Sequence, residues 1–316
     1  MAPPPGHAPQ RIAYLGPAGT FTEEALLSQA DLADAELVPM SIGDALAAVG
    51  AAEVDAAFVP MENSIEGTVR ETLDNLIFES DLLIQREVVL PISLNLLAPA
   101  GVVLADVSRI VSYPVALAQC RRFFHRELPG FEEIPASSTS DAARILAEDH
   151  PAATAAVGTA LAAKLYGLEI IAADIEDHPD NETRFVLVGG PTAGVPAPTG
   201  HDRTSIVCFQ NHDQPGSLHA ILGQFSARNL NLTKLESRPT KRGLGEYCFI
   251  IDVQGHVDDE VVADCLRDLH AQLAGLKFLG SYPASGQHSE SIRRDAEASW
   301  RAADDWIAAV RQQIHH

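Results

Sequence analysis

Between residues 11 and 188 the chain repeats one pattern: a short apolar run, a cluster of Gly, Pro, Ser, Thr or Asn, then apolar residues at helical spacing. The apolar runs fall at 11–15, 36–40, 56–59, 109–111, 154–157, 168–172 and 183–188, with the more polar Glu132 to Pro135 holding the same place before its hydroxyl cluster. Ile42, Ala45, Leu46 and Val49 show the helical spacing at i, i+3, i+4 and i+7. Such alternation predicts an α/β fold with mainly parallel sheets flanked by helices. Roughly 180 residues with a crossing near 87–98 predict two lobes with a cleft between them.

Ligands of open α/β sheets bind beyond the C-terminal ends of the strands, so the junctions carry the functional signal. After the first strand comes Gly16-Pro17-Ala18-Gly19-Thr20-Phe21-Thr22, with Thr22 read as the N-cap of a helix over 23–30. This turn offers backbone N–H groups to an anion, or serves as a tight turn alone; it is neither a P-loop nor G-x-G-x-x-G. The third strand delivers Pro60-Met61-Glu62-Asn63-Ser64 and a loop with Gly67, whose Asn63 and Ser64 would bind a ligand or cap a helix. Ser112-Tyr113-Pro114 precedes a helix over 115–128, and Ser137-Ser138-Thr139-Ser140 a helix over 141–149. Thr183-Arg184-Phe185 places a hydroxyl, a permanent cation and a ring at the mouth of a strand apolar enough to be buried on both faces.

The pattern stops at 189–203, a linker rich in Gly, Pro and Thr. From 204 to 283 the order strand, helix, strand, strand, helix, strand predicts a ferredoxin-like βαββαβ domain, whose open sheet would pair edge to edge. The tail, 284–316, carries a helix over about 289–313, with Trp300, Ala303, Ile307, Val310 and Ile314 in a narrow seam. It packs on its own subunit or is swapped onto another. With 316 residues and 46% apolar content the chain supports two cores, and its formal charge of −21 argues against nucleic acid or an anionic membrane as partner. No apolar run reaches the roughly 18 residues of a membrane span, and residues 1–10 do not read as a leader, so a cytoplasmic location is expected. Cys120, Cys208, Cys248 and Cys265 lack metal-ligand spacing and are read as buried reduced thiols, with no metal or cofactor implied.

Taken together, Gly16-Pro17 with Gly19-Thr20-Phe21, Glu62-Asn63-Ser64 with Gly67, and Thr183-Arg184-Phe185 preceded by Tyr166, Leu168, Ile171 and Asp177 make the chain resemble the prephenate dehydratases. Leu232-Thr233-Lys234-Leu235-Glu236-Ser237-Arg238-Pro239 looks like the ESRP effector motif of that family's ACT regulatory domain. The resemblance implies a two-lobed, periplasmic-binding-protein-like catalytic domain over 11–190, its lobes crossed near 87–98 and 175–183. A linker at 191–203, an ACT domain at 204–283 and a helical tail follow. It implies decarboxylative dehydration of prephenate to phenylpyruvate without a cofactor, in phenylalanine biosynthesis. Thr183 would then act on the leaving hydroxyl, Arg184 on the pyruvyl carboxylate or on the order of the site, and Phe185 would help keep the C1 side dry. Thr20, Asn63, Ser64 and Thr139 are the expected substrate hydrogen-bonders. Phenylalanine is the expected effector, held by Asn211, Gly216, Ser217, Leu218, Glu236, Ser237 and Arg238 in a homodimer or a dimer of dimers. The sequence departs from the family at Ser112-Tyr113-Pro114, where Ser-His-Pro is usual, so no histidine is given a proton-transfer role there. It also departs at Gly216-Ser217-Leu218-His219, where Gly-Ala-Leu-Val is usual. Arogenate dehydratase and a non-catalytic amino-acid sensor are the alternative readings.

Overall fold

The structure, a computed structural model, describes residues 9–32, 34–149, 151–210, 214–241, 243, 246–285 and 306–312. In chain order its strands are β1 (Arg11–Leu15), β2 (Glu36–Met40), β3 (Ala56–Asn63), β4 (Gly67–Thr68), β5 (Leu83–Pro91), β6 (Asn95–Ala98), β7 (Arg109–Ser112) and β8 (Glu132–Pro135). They continue with β9 (Thr154–Gly158), β10 (Glu169–Ala172), β11 (Glu182–Gly189), β12 (Asp202–Phe209), β13 (Leu232–Pro239), β14 (Tyr247–Gln254) and β15 (Gly275–Pro283). The chain divides into two compact units: Met1–Asn75 with Val88–Val188, and Leu76–Glu87 with Gly189–His316.

The first unit has the expected two lobes. One is the sheet β2-β1-β3-β11-β5, with β4 hairpinned against β3. Ile12, Tyr14, Phe58, Phe185 and Leu187 form its core on one face. The other lobe is the sheet β10-β6-β9-β7-β8. Here Leu96 and Ile110 pack into one core while their neighbours Leu97 and Val111 pack into a second, because this sheet is covered on both faces. The chain crosses between lobes after β5 and again before β11, and Ile92 N–H donates to the Asn181 carbonyl at 2.8 Å across the two crossings.

Several elements differ from the sequence expectation. The second lobe is mixed rather than mainly parallel, since β6 runs antiparallel to both β9 and β10. The first helix is Phe21–Leu27, and its N-cap is Thr20, not Thr22: the Thr20 hydroxyl accepts from Glu23 N at 3.3 Å. Thr20-x-x-Glu23 is the sequence form of a capping box, and the Glu23 carboxylate accepts from Gly19 N. β3 runs on through Asn63 because Gly67-Thr68 pairs with it. The helix expected at 115–128 breaks into Pro114–Ala118 and Arg121–Glu127, pinned at the break by Asp177, whose N–H donates to the Gln119 carbonyl and whose carboxylate accepts from Arg122 N.

The second unit holds the four-stranded sheet β13-β14-β12-β15, all antiparallel, with helices Ser217–Ser226 and Glu260–Gln272 on one face. Ile206, Cys208, Phe249, Ile251 and Val253 alternate into the core with Ile221, Phe225, Cys265 and Leu269. Residues 76–87 belong to this unit although the sequence places them among the elements of the first. The Lys277 ammonium donates to the carbonyls of Ile77 at 3.1 Å and Ser80 at 2.6 Å. The Ile84 backbone lies so close to Gly280 that a Cβ there would sit 2.5 Å from its carbonyl oxygen. Of the tail, residues 306–312 are described, helical up to Arg311, with Trp306, Ile307 and Val310 exposed; Trp300, Ala303 and Ile314 lie outside the described residues. Among the described residues no helix is long and apolar enough to cross a membrane.

Candidate active site

A cavity of about 400 Å3 opens in the first unit between its lobes. Leu15, Gly16, Thr20, Phe21, Asn63 and Glu66 line it from the first lobe; Tyr113, Val115, Ala116, Gln119, Ser137, Ser138 and Thr139 line it from the second. Ile92, Leu94, Asn181 and Thr183, at and beside the crossings, complete it.

Asn63 is the hinge of its polar wall. Its Oδ1 accepts from the backbone N–H groups of Ile65 and Glu66 at 2.9 and 3.0 Å, which fixes which end of the amide is which. Nδ2 therefore faces Thr183 and donates to its Oγ1 at 2.8 Å, with the Asn181 Oδ1 also at 2.8 Å. A hydroxyl that accepts from an amide keeps its own proton to give elsewhere, and Thr183 lines the cavity. The wall continues as a chain: Asn181 Nδ2 donates to Gln119 Oε1, and Gln119 Nε2 to the Glu66 carboxylate, each at 3.2 Å. Gln119, Glu66 and Tyr113 were not assigned from the sequence. Gln119 lay inside a helix expected to be continuous, and only the break at 119–120 turns it to the cavity.

Other expected residues take different places. Alternation along β11 puts Thr183, Phe185 and Leu187 on one face and Arg184 on the other. Arg184 is 7% exposed, lies 3.7 Å from the Glu62 carboxylate, and does not line the cavity. Phe185 stacks on Phe58 in the lobe core, centroids 5.7 Å apart, and does not line it either. Ser64 bonds to Asn181 Oδ1 and Glu182 N and supports the wall from behind. The Thr20 hydroxyl lines the cavity but is engaged as N-cap and as donor to the Leu15 carbonyl at 2.9 Å. The Ala18-Gly19 turn joins the lobes: its carbonyls accept from Ser140, Tyr166 and Thr159 hydroxyls. Gly19, at φ +87°, has room for no Cβ, with Ser140 Oγ 2.8 Å from where one would be.

Among the described residues no Lys, Arg or His side chain lines the cavity. An anion there meets instead the N-terminus of the helix Thr139–Asp149, with Ser137, Ser138 and Thr139 at its start. Asp141 in its first turn is held below the usual carboxylate range, first by the Ser137 hydroxyl and also by Arg144. Among the described residues no group of three or more His, Cys, Asp or Glu side chains could hold a metal ion. Burial pushes the thiols up, Cys208 and Cys265 to about 12, and Cys120 beside Asp177 and Glu176 as well, so all three stay protonated.

In the second unit, Gly216 (φ +91°) precedes the helix Ser217–Ser226, and the Ser217 hydroxyl donates to the Gln214 carbonyl at 2.8 Å. Leu218 packs against the core of this unit. Glu236 lies between Lys234 and Arg238, at 3.5 and 3.6 Å, on the edge strand β13, where Ser237 is exposed. β14 separates β13 from the strand that leads into that helix. Asn211 lies outside the described residues.

Residues 12–193 match the family model described as Prephenate dehydratase, and residues 204–271 the model described as ACT domain. A protein of Mycolicibacterium vanbaalenii named Prephenate dehydratase is 46% identical over 304 residues, covering 92% of this chain and 96% of its own. A solved prephenate dehydratase from Arthrobacter aurescens, in complex with L-Phe, superposes with a TM-score of 0.86 at 41% identity, over 96% of this chain and 99% of that one. A solved chain described as a novel type of quorum quenching acylase superposes with a TM-score of 0.78 at 31% identity, over 87% and 98%.

Proposed function

The chain belongs to the prephenate dehydratase family, and from that membership and the geometry of the cavity we infer that Thr183, oriented by Asn63, acts on the leaving hydroxyl of prephenate. As a carbon–oxygen lyase the chain forms phenylpyruvate, carbon dioxide and water. The bond from C1 to its carboxylate breaks and its electron pair enters the ring. The C4–oxygen bond breaks as the ring becomes aromatic, and the departing oxygen leaves as water with one proton gained, ultimately from solvent. Aromatisation supplies the driving force, so the protein's tasks are position and one well-placed donor. A threonine hydroxyl is a weak acid, so its contribution is a preorganised hydrogen bond to the developing hydroxide.

The two carboxylates of the substrate are held by neutral donors: Ser137, Ser138, Thr139 and the backbone at that helix N-terminus. This suits decarboxylation, because a tight ion pair on the C1 carboxylate would stabilise the ground state most. Arg184 then orders β11 from its far face through Glu62 rather than gripping substrate. Phe185 keeps the base of the wall apolar. An acylase reaction needs a nucleophile beside a base; among the described residues no His, Cys or Lys lines this cavity, the Ser137 hydroxyl donates to Asp141, and Thr183 accepts from an amide.

The ACT domain is read as a phenylalanine-responsive regulator, since a solved relative binds L-Phe. Among the described residues, the cavity beside Ser217 is not lined by Glu236, Ser237 or Arg238, and β14 lies between β13 and β12, the strand that leads to the Gly216 turn. That supports an effector site completed by a second copy, in a homodimer or a dimer of dimers. The deciding assay is phenylpyruvate formation from prephenate, and from arogenate as competitor, with and without phenylalanine. Turnover of prephenate that collapses in Thr183→Ala carries the reading. Preference for arogenate would keep the chemistry and change the substrate. No turnover of either, with phenylalanine still bound, would leave a sensor.

A further inference from the structure

The helix Pro114–Ala118 has a cavity on each side. Tyr113, Val115, Ala116 and Gln119 face the catalytic one, while Pro114, Leu117 and Ala118 face a second, of about 700 Å3. The floor of the second is apolar: Leu117, Phe124 and Leu128 are buried, and Phe131 meets Phe124 with centroids 4.8 Å apart. The chain returns Phe131 to this floor through Gly130 at φ +82°, a conformation open to glycine. Three charged or chargeable groups stand at its rim. Arg121 and His125 lie one turn apart on one helix, and Glu133 comes from the edge strand β8. Among the described residues, no ion pair or side-chain hydrogen bond joins any of the three to another residue.

We propose that this cavity binds a free amino acid with a large apolar side chain. The Arg121 fork takes the α-carboxylate, with His125 beside it, Glu133 takes the α-ammonium, and the Leu and Phe floor takes the side chain. A dicarboxylate would meet Glu133 and a simple amine would meet Arg121, so a zwitterion fits best. The site is lined wholly by residues of the first unit, and it shares with the catalytic cavity the helix between Tyr113 and Gln119. Occupancy would therefore bear on the groups that line the reaction site.

The test uses crystals of the full chain soaked in 4-bromo-L-phenylalanine, together with calorimetric titration of L-phenylalanine in solution. Arg121→Ala and Glu133→Gln alter exposed side chains outside the catalytic wall. The expected result is bromine over Leu117, Phe124 and Phe131, and a class of binding that weakens on the order of tenfold or more in Arg121→Ala. 3-Phenylpropionate, which lacks the ammonium, should bind the parent and Glu133→Gln alike. Absence of bromine from this cavity, an unchanged titration in Arg121→Ala, or binding at crystal concentration only would overturn the proposal. Prephenate turnover enters none of these readouts, so the fate of the catalytic reading is decided separately.

Discussion

In the proposed mechanism the orientation of the Thr183 hydroxyl matters, and the Asn63 amide that donates to it is placed to set that orientation. In Asn63→Asp the side chain keeps its shape and still accepts from Ile65 and Glu66 N–H, but the atom facing Thr183 becomes an acceptor. Thr183 would then give its proton to Asp rather than to substrate. We expect kcat to fall on the order of 10² to 10³, as for Thr183→Ala, with little further loss in the double variant; the melting temperature falls as well, because the new oxygen also faces Asn181 Oδ1 and the Glu182 carbonyl. Near-normal turnover by Asn63→Asp would refute the orienting role. Gly19 is constrained differently. Alanine there costs about 1–2 kcal/mol for the left-handed backbone, and its Cβ meets Ser140 Oγ and Ala162 at the joint between lobes. A melting temperature lowered by several degrees is the expected readout for Gly19→Ala. The roles of these two residues differ in how far the sequence shows them. Thr183 was visible as a hydroxyl at a strand mouth. The Asn63 amide was visible only as a hydrogen-bonder, because its partner is far along the chain and comes near only when β3 and β11 share a sheet.

At the scale of elements, periodicity located nearly every strand, since a buried strand must be apolar wherever it lies in the chain. It did not fix what joins to what. The antiparallel β6 reads like the strands of the parallel pairs β7–β8 and β7–β9, for side-chain alternation is blind to strand direction. The break at Gln119 leaves the helical spacing of Leu117, Phe124 and Leu128 intact, so the sequence hid the one residue that the break delivers to the site. Residues 76–87 show the same limit: their anchor is Glu87, an acid to which the sequence reading assigns no role. Its side chain is fully buried, 2.7 Å from Arg203, and accepts from Ser285 N at 2.7 Å. Glu87→Ala would leave the Arg203 guanidinium, 14% exposed, without that carboxylate and should destabilise the second unit by about 3–5 kcal/mol, seen as a lower denaturant midpoint. A midpoint within error of the parent would show that solvent replaces the pair. The helix Thr139–Asp149 carries a pH dependence. Asp141 is lowered in the fold, so its stabilisation is complete above the ordinary carboxylate pKa, ~3.9, and is lost as pH falls through the lower folded value. The stability gap between the parent and Asp141→Asn should therefore be constant near neutrality and close below about pH 4, measured by chemical denaturation across pH.

For the whole molecule, charge and chemistry pull in opposite directions. The chain carries a formal −21 and its substrate two negative charges, yet among the described residues the catalytic cavity offers no cationic side chain to offset the repulsion. Local donors bind at hydrogen-bond range, where salt screens little; the net charge acts over a Debye length, where salt screens strongly. Approach of prephenate is therefore opposed by a field that fades as ionic strength rises. kcat/KM for prephenate should increase, on the order of tenfold, between ~10 and ~150 mM salt, with most of the change in KM. Arogenate, whose ammonium cancels one charge, should show a shallower slope. An enzyme that drew its substrate in by cationic steering would show the reverse sign, with kcat/KM falling as salt is added. A falling or flat profile for prephenate would mean that positive charge reaches the cavity in the working enzyme, from Arg184 turned inward or from a second copy of the chain. The neutral-donor account of substrate binding would then give way.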